Sequence, residues 1–180
     1  MVAKDLKIDD YVARVFLYGV SGAKVHNFNI PRLMLSRIRP SIILLDLGTN
    51  DLVGGAKVSV LVNGLRDMAI DLRDDLQAVV VIMSVLYRAE GLGGFTPESF
   101  KHEVEKFNLE LSLRVKDDAN VVFHKHKGFW EQEMGGKKVE LPIESWSRDG
   151  IHPNSSQGRL RYKKSIRAAM VKALKVLSGH

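Results

Sequence analysis

Apolar positions along the chain fall into two kinds of run. Four short stretches are almost continuously hydrophobic: "RVFLYG" (14–19), "SIILLDLG" (41–48), "AVVVIMSVLY" (78–87) and "NVVFHKH" (120–126). Runs of this length, rich in Val, Ile and Leu and with little alternation, predict strands covered on both faces. Between them the apolar positions recur every three or four residues. Val58, Leu61, Leu65, Met68 and Leu72 make one helical stripe,. Thr96 stands as N-cap and Pro97 as first helical residue of a second helix, whose apolar face is Phe100, Val104, Phe107, Leu111 and Val115,. A shorter helix over 29–40 is bounded by Pro31 and Pro40, and a last one over 156–177 is expected to turn Leu160, Ile166, Met170, Ala173 and Leu177 inward,.

Strands alternating with helices imply βαβ units and a mostly parallel sheet, an α/β chain of three layers, α/β/α. At 180 residues, with no repeat or linker, the chain reads as a single domain over 1–180,. "RAEGLGGFT" (88–96) and "EMGGKKVELPIESWS" (133–147) are expected as long loops. Each follows a strand, on the side where parallel sheets place their ligands.

Composition narrows the chemistry. With no cysteine there is no disulfide framework, thiolate metal site or cysteine nucleophile,. The first fifteen residues are charged throughout and lack the apolar core of a secretory leader, and no apolar run is long enough for a transmembrane segment,. A soluble, cytoplasmic protein is the expectation. The net charge of +6 is lopsided: Arg159, Arg161, Lys163, Lys164, Arg167, Lys172 and Lys175 follow Arg148, against Asp149 alone. Such a helix suits nucleic acid, an acidic partner or an anionic membrane, beside the plainer reading of a solvated face.

Two stretches carry candidate chemistry. In "LLDLGTNDL", Gly48 permits close backbone approach and the Asn50 carboxamide can donate a hydrogen bond to a developing oxyanion,. Gly22 of "GVSG" can offer its backbone N–H to the same oxygen. In "SRDGIHPN", Asp149 and His152 lie three positions apart, so the carboxylate can hold one imidazole nitrogen while the other faces the reacting centre, with Pro153 stiffening the loop,. Taken singly, "GTND" is equally a strand-to-loop turn and Asp-x-x-His a local hydrogen-bonded turn. Their joint occurrence, each after a strand, favours one shared site.

These blocks resemble the SGNH/GDSL hydrolases, serine-dependent esterases and lipases with a flavodoxin-like fold. "FLYGVSGAKV" is similar to the family's second block, "LLDLGTNDL" to its third and "SRDGIHPN" to its fifth, over a span from about residue 12 to the C-terminus. The resemblance implies Gly22 and Asn50 as oxyanion donors, Asp149 and His152 as acid and base, a small ester or acyl group as substrate, and no cofactor. The "YKKSIRAAM" stretch is similar to SGNH-like domains of animal and retroelement-encoded proteins.

The family's first block, a strand running into the nucleophilic serine, has no counterpart: the first serine is Ser21. Ser21 and Ser84 are the candidate substitutes. Ser21 is not in a G-x-S-x-G elbow, and Ser84 lies inside an apolar strand, where a buried small residue is the plainer reading. The first strand is central in this fold, so the sheet is expected to be missing or rearranged there. Either a homodimer covers the open edge or the strand lies upstream in the natural protein. The chain is thus an esterase domain incomplete on its N-terminal side, or a pseudoenzyme kept for binding or assembly.

Three smaller features stay open. His124 and His126 have a metal-ligand spacing, against a solvated strand end,. Phe95, Phe129, Trp130 and Trp146 could line an acyl pocket or pack onto the body. Arg88 could meet an anionic substrate or pair with Glu90.

Overall fold

The structure, a computed structural model, describes residues 6, 14–86, 94, 96–127, 129, 131–134, 137–140, 152 and 155–179. Its strands are β1 (Ile42–Leu45), β2 (Val79–Met83), β3 (Val121–His124), β4 (Glu131–Met134) and β5 (Lys137–Glu140). Its helices are α1 (Arg32–Ile38), α2 (Thr49–Val53), α3 (Val58–Leu76), α4 (Pro97–Arg114) and α5 (Ser155–Leu177). β1, β2 and β3 form a parallel sheet in that order, with Ile42 opposite Val79 and Val80 opposite Val121.

Alternation along each strand sorts side chains onto two cores. Leu45, Val80, Ile82 and Val121 join the α3 and α4 stripes: Val58, Leu61, Leu65 and Leu72 from one, Phe100, Val104, Phe107 and Leu111 from the other. Val79, Val81 and Met83 face Ala169 and Ala173 of α5 on the opposite side. The result is the expected three-layer α/β/α arrangement, with every residue of β2 buried because both faces and both edges are covered,. α4 begins as its sequence requires: the Thr96 hydroxyl accepts from the Ser99 N–H at 3.2 Å, with Pro97 next in line,.

Three expectations are corrected. Residues 14–20 form no strand, and Phe16, Leu17 and Tyr18 are 63%, 57% and 53% exposed. An apolar run becomes a strand only where a ladder partner exists, and the described part of the sheet supplies none for it. The long loop expected over 133–147 instead begins within an antiparallel pair, β4–β5, that spans 131–140, with Met134 opposite Lys137. Its two-residue link is "GG", a hairpin signal the sequence carried,. In α5, Ala173 and Met170 are buried and Ile166 partly so, but Leu160 and Leu177 face solvent.

Candidate active site

Strand β1 ends in a left-handed turn at Gly48, φ +115°, which is also the N-cap of α2. A Cβ there would lie 3.1 Å from Val85 Cγ2 and 3.5 Å from Phe107 Cζ, so both backbone angle and space call for glycine,. The turn points the first residues of α2 at the loop over 20–27. Asn50 Nδ2 donates to the Ala23 carbonyl at 3.0 Å. Beside it, the buried Asp51 carboxylate accepts from the Val25 N–H, 3.1 Å to each oxygen, and lies 3.6 Å from His26 Nδ1. Two loops that sequence placed apart are thereby pinned together. Gly22 is adjacent to Ala23, exposed, and in the left-handed conformation at φ +69°.

The structure therefore brings Asn50 against the Ala23 carbonyl, one residue after Gly22. His152 is exposed, three residues before α5 begins. Asp149, the expected acid, lies outside the described residues, as do Arg88, Glu90, Phe95, Trp130, Trp146 and Pro153. Ser21 is exposed in the same 20–27 loop. Ser84 is buried, and its Oγ accepts from the His126 N–H at 2.9 Å, bridging the ends of β2 and β3.

Asp51 was legible only as part of "GTND". An acid just after a glycine turn is the sort that captures a backbone N–H, but its partner 26 residues away is a tertiary fact,. A second missed group lies on the α5 side. His124 Nε2 and His126 Nδ1 approach Ser165 Oγ at 3.1 and 2.7 Å. One hydroxyl proton serves two rings, so Ser165 donates to one imidazole and accepts from the other. His126 Nε2 is buried with no partner among the described residues. Burial holds both imidazoles neutral, to about 4 in each case, with His126, Lys172 and Lys127 adding to the effect on His124,. The solvated strand end considered for this pair is corrected: His126 is only 1% exposed. No group of three or more metal-ligating side chains occurs among the described residues.

His126 also stacks on Tyr162 of α5, at 5.6 Å between centroids, and meets the edge of Phe129 at 5.4 Å. Phe129 is buried in these contacts, so it packs onto the body as loop aromatics usually do,. The Tyr162 hydroxyl donates to Asp46, two residues before Gly48. Burial and then Asp46 raise the Tyr162 phenol well above its ordinary range, so it stays a donor. Across the sheet, Asn108 of α4 exchanges two 2.9 Å hydrogen bonds with the backbone N–H and carbonyl of Val85, fixing the chain just beyond β2.

The sequence model of the GDSL-like Lipase/Acylhydrolase family matches residues 1–160. No curated protein matches the sequence. Among solved structures, a GDSL-like lipase from Bacteroides thetaiotaomicron superposes with a TM-score of 0.62 at 22% identity, over 87% of this chain and 75% of that one. A carbohydrate esterase family 3 protein from Talaromyces cellulolyticus gives a TM-score of 0.59 at 17% identity, over 93% and 78%. At such identities the likeness is one of fold.

Proposed function

Because the chain belongs to the GDSL-like lipase/acylhydrolase family, we propose that its site is that of a carboxylic ester hydrolase in which the nucleophile block is wanting. In this reading His152 is the base, Asp149 orients it, and Asn50 with the Gly22 N–H stabilises the oxyanion of an ester carbonyl under attack. The carrying observation is the Asn50–Ala23 hydrogen bond, which ties the Asn50 carboxamide to the 20–27 loop one residue after Gly22,. No serine precedes Ser21, so hydrolysis by the chain as it stands is absent or weak,. Of the substitute nucleophiles, exposed Ser21 is better placed than Ser84, whose hydroxyl is buried and engaged.

The test is labelling by a fluorophosphonate probe together with turnover of a short-chain nitrophenyl ester. Weak turnover that falls about a hundredfold in Asn50→Ala and in His152→Ala supports the esterase reading. Probe labelling that disappears in Ser21→Ala identifies the substitute nucleophile. Turnover that both site variants leave unchanged sinks the assignment.

The second reading is a pseudoenzyme whose fold serves protein or nucleic-acid binding or assembly. Exposed Phe16, Leu17 and Tyr18 favour it, because contiguous apolar side chains in water are what a partner, a second copy included, would cover,. It predicts no labelling and no turnover, with a dimer in sedimentation velocity that Leu17→Asp abolishes.

A further inference from the structure

We propose that the outer face of α5 docks on an anionic lipid surface. Leu160, Lys164, Arg167, Val171 and Leu174 recur at spacings of four and three, which places them on one side of the helix,. That side is turned away from the sheet, since Ser165, Ala169 and Ala173 occupy the buried one. All five are exposed, the apolar members at 49% for Leu160, 46% for Val171 and 37% for Leu174, with Leu177 at 45% beyond them. From Ser155 to the C-terminus there is no acidic residue.

The two halves of this pattern select one occupant. Lys164, Arg167 and the neighbouring Lys175 call for negative charge, which the surface of an anionic leaflet supplies. The apolar side chains would be idle against phosphates of a nucleic acid, but against a bilayer they enter the headgroup boundary while the basic stems reach up around them. A second copy of this chain meeting face to face would oppose like charges. A protein partner would call for an aromatic or pocketed anchor, and the stripe, about 21 Å long, is made of Leu, Val, Lys and Arg,. Attachment is peripheral: among the described residues no helix is long and apolar enough to cross a membrane.

The test is co-sedimentation of the full chain with phosphatidylcholine vesicles and with vesicles that also contain phosphatidylserine. Binding is expected only to the second kind and is expected to weaken steeply with salt. Lys164→Glu with Arg167→Glu should lower partitioning about a hundredfold or more. Val171→Ser with Leu174→Ser, which leaves every charge in place, should lower it about tenfold. Arg37→Glu with Lys116→Glu makes the same change in net charge elsewhere on the surface and should lower it far less. Circular dichroism checks that each variant is folded; should the charge-reversed pair not fold, Lys164→Gln with Arg167→Gln replaces it. No binding to either vesicle, or equal binding to both, overturns the proposal. So does binding that the Val171/Leu174 pair leaves unchanged, which would mark a surface for soluble polyanions. A dimer that the same pair dissociates would mark self-association instead.

Discussion

At the scale of single residues, the site rests on Gly48 and Asp51. Gly48→Ala places a Cβ 3.1 Å from Val85 and forces alanine into φ +115°. It should cost about 2 kcal/mol, read as a lowered urea midpoint at unchanged m. Asp51→Ala removes the acceptor of a part-buried backbone N–H. It should cost about 1–3 kcal/mol, and hydrogen exchange at Val25 should rise more than at residues of β2. The glycine was legible in the sequence as a turn after an apolar run. The carboxylate's partner was not, since nothing local marks Val25 as the donor.

Among elements, the joint between β3 and α5 sets the response to pH. His124 and His126 are neutral in the folded protein, with pKa values lowered to about 4, whereas in the unfolded chain they titrate near 6.5. Between those values the unfolded state binds more protons, so stability is complete above about pH 6.5 and declines as pH falls towards 4. His126 alone accounts for on the order of 3 kcal/mol of that decline. Urea midpoints measured from pH 7.5 to 4.5 should fall steadily, and His126→Phe should flatten the curve; an unchanged slope would remove His126 from the account. The spacing of "HKH" announced two rings on one side of a strand. That Ser165, 39 residues beyond His126, would meet both belongs to how α5 crosses the sheet.

For the molecule as a whole, β2 is the common wall of two cores. Val80 and Ile82 pack towards α3 and α4, Val79 and Val81 towards α5. Neither layer can leave without exposing the strand that the other uses, so unfolding should be one cooperative step. Phe107→Ala, which opens a cavity in the larger core, should cost about 3–5 kcal/mol. Val81→Ala, on the α5 side, should cost about 1–3 kcal/mol. In both variants near- and far-ultraviolet circular dichroism should shift together; separated transitions would show that α5 melts independently.

By itself the sequence determined what local periodicity can encode: three of the four apolar runs that read as strands of a parallel sheet, the α3 and α4 stripes, the Thr96 cap and the glycine turn that presents Asn50. These depend on neighbours a few residues apart, and the structure holds them where the pattern put them. Tertiary structure decided the rest. Residues 14–20 carry a strand's composition, yet Phe16 to Tyr18 lie in water because pairing needs a neighbour that composition cannot supply,. Leu160 and Leu177 look inward by type and face outward by rotation, because Ser165, Ala169 and Ala173 are the small groups that let α5 approach the sheet closely,. Which apolar residue is buried is settled by the surface it meets, and that surface is made by parts of the chain far away in sequence.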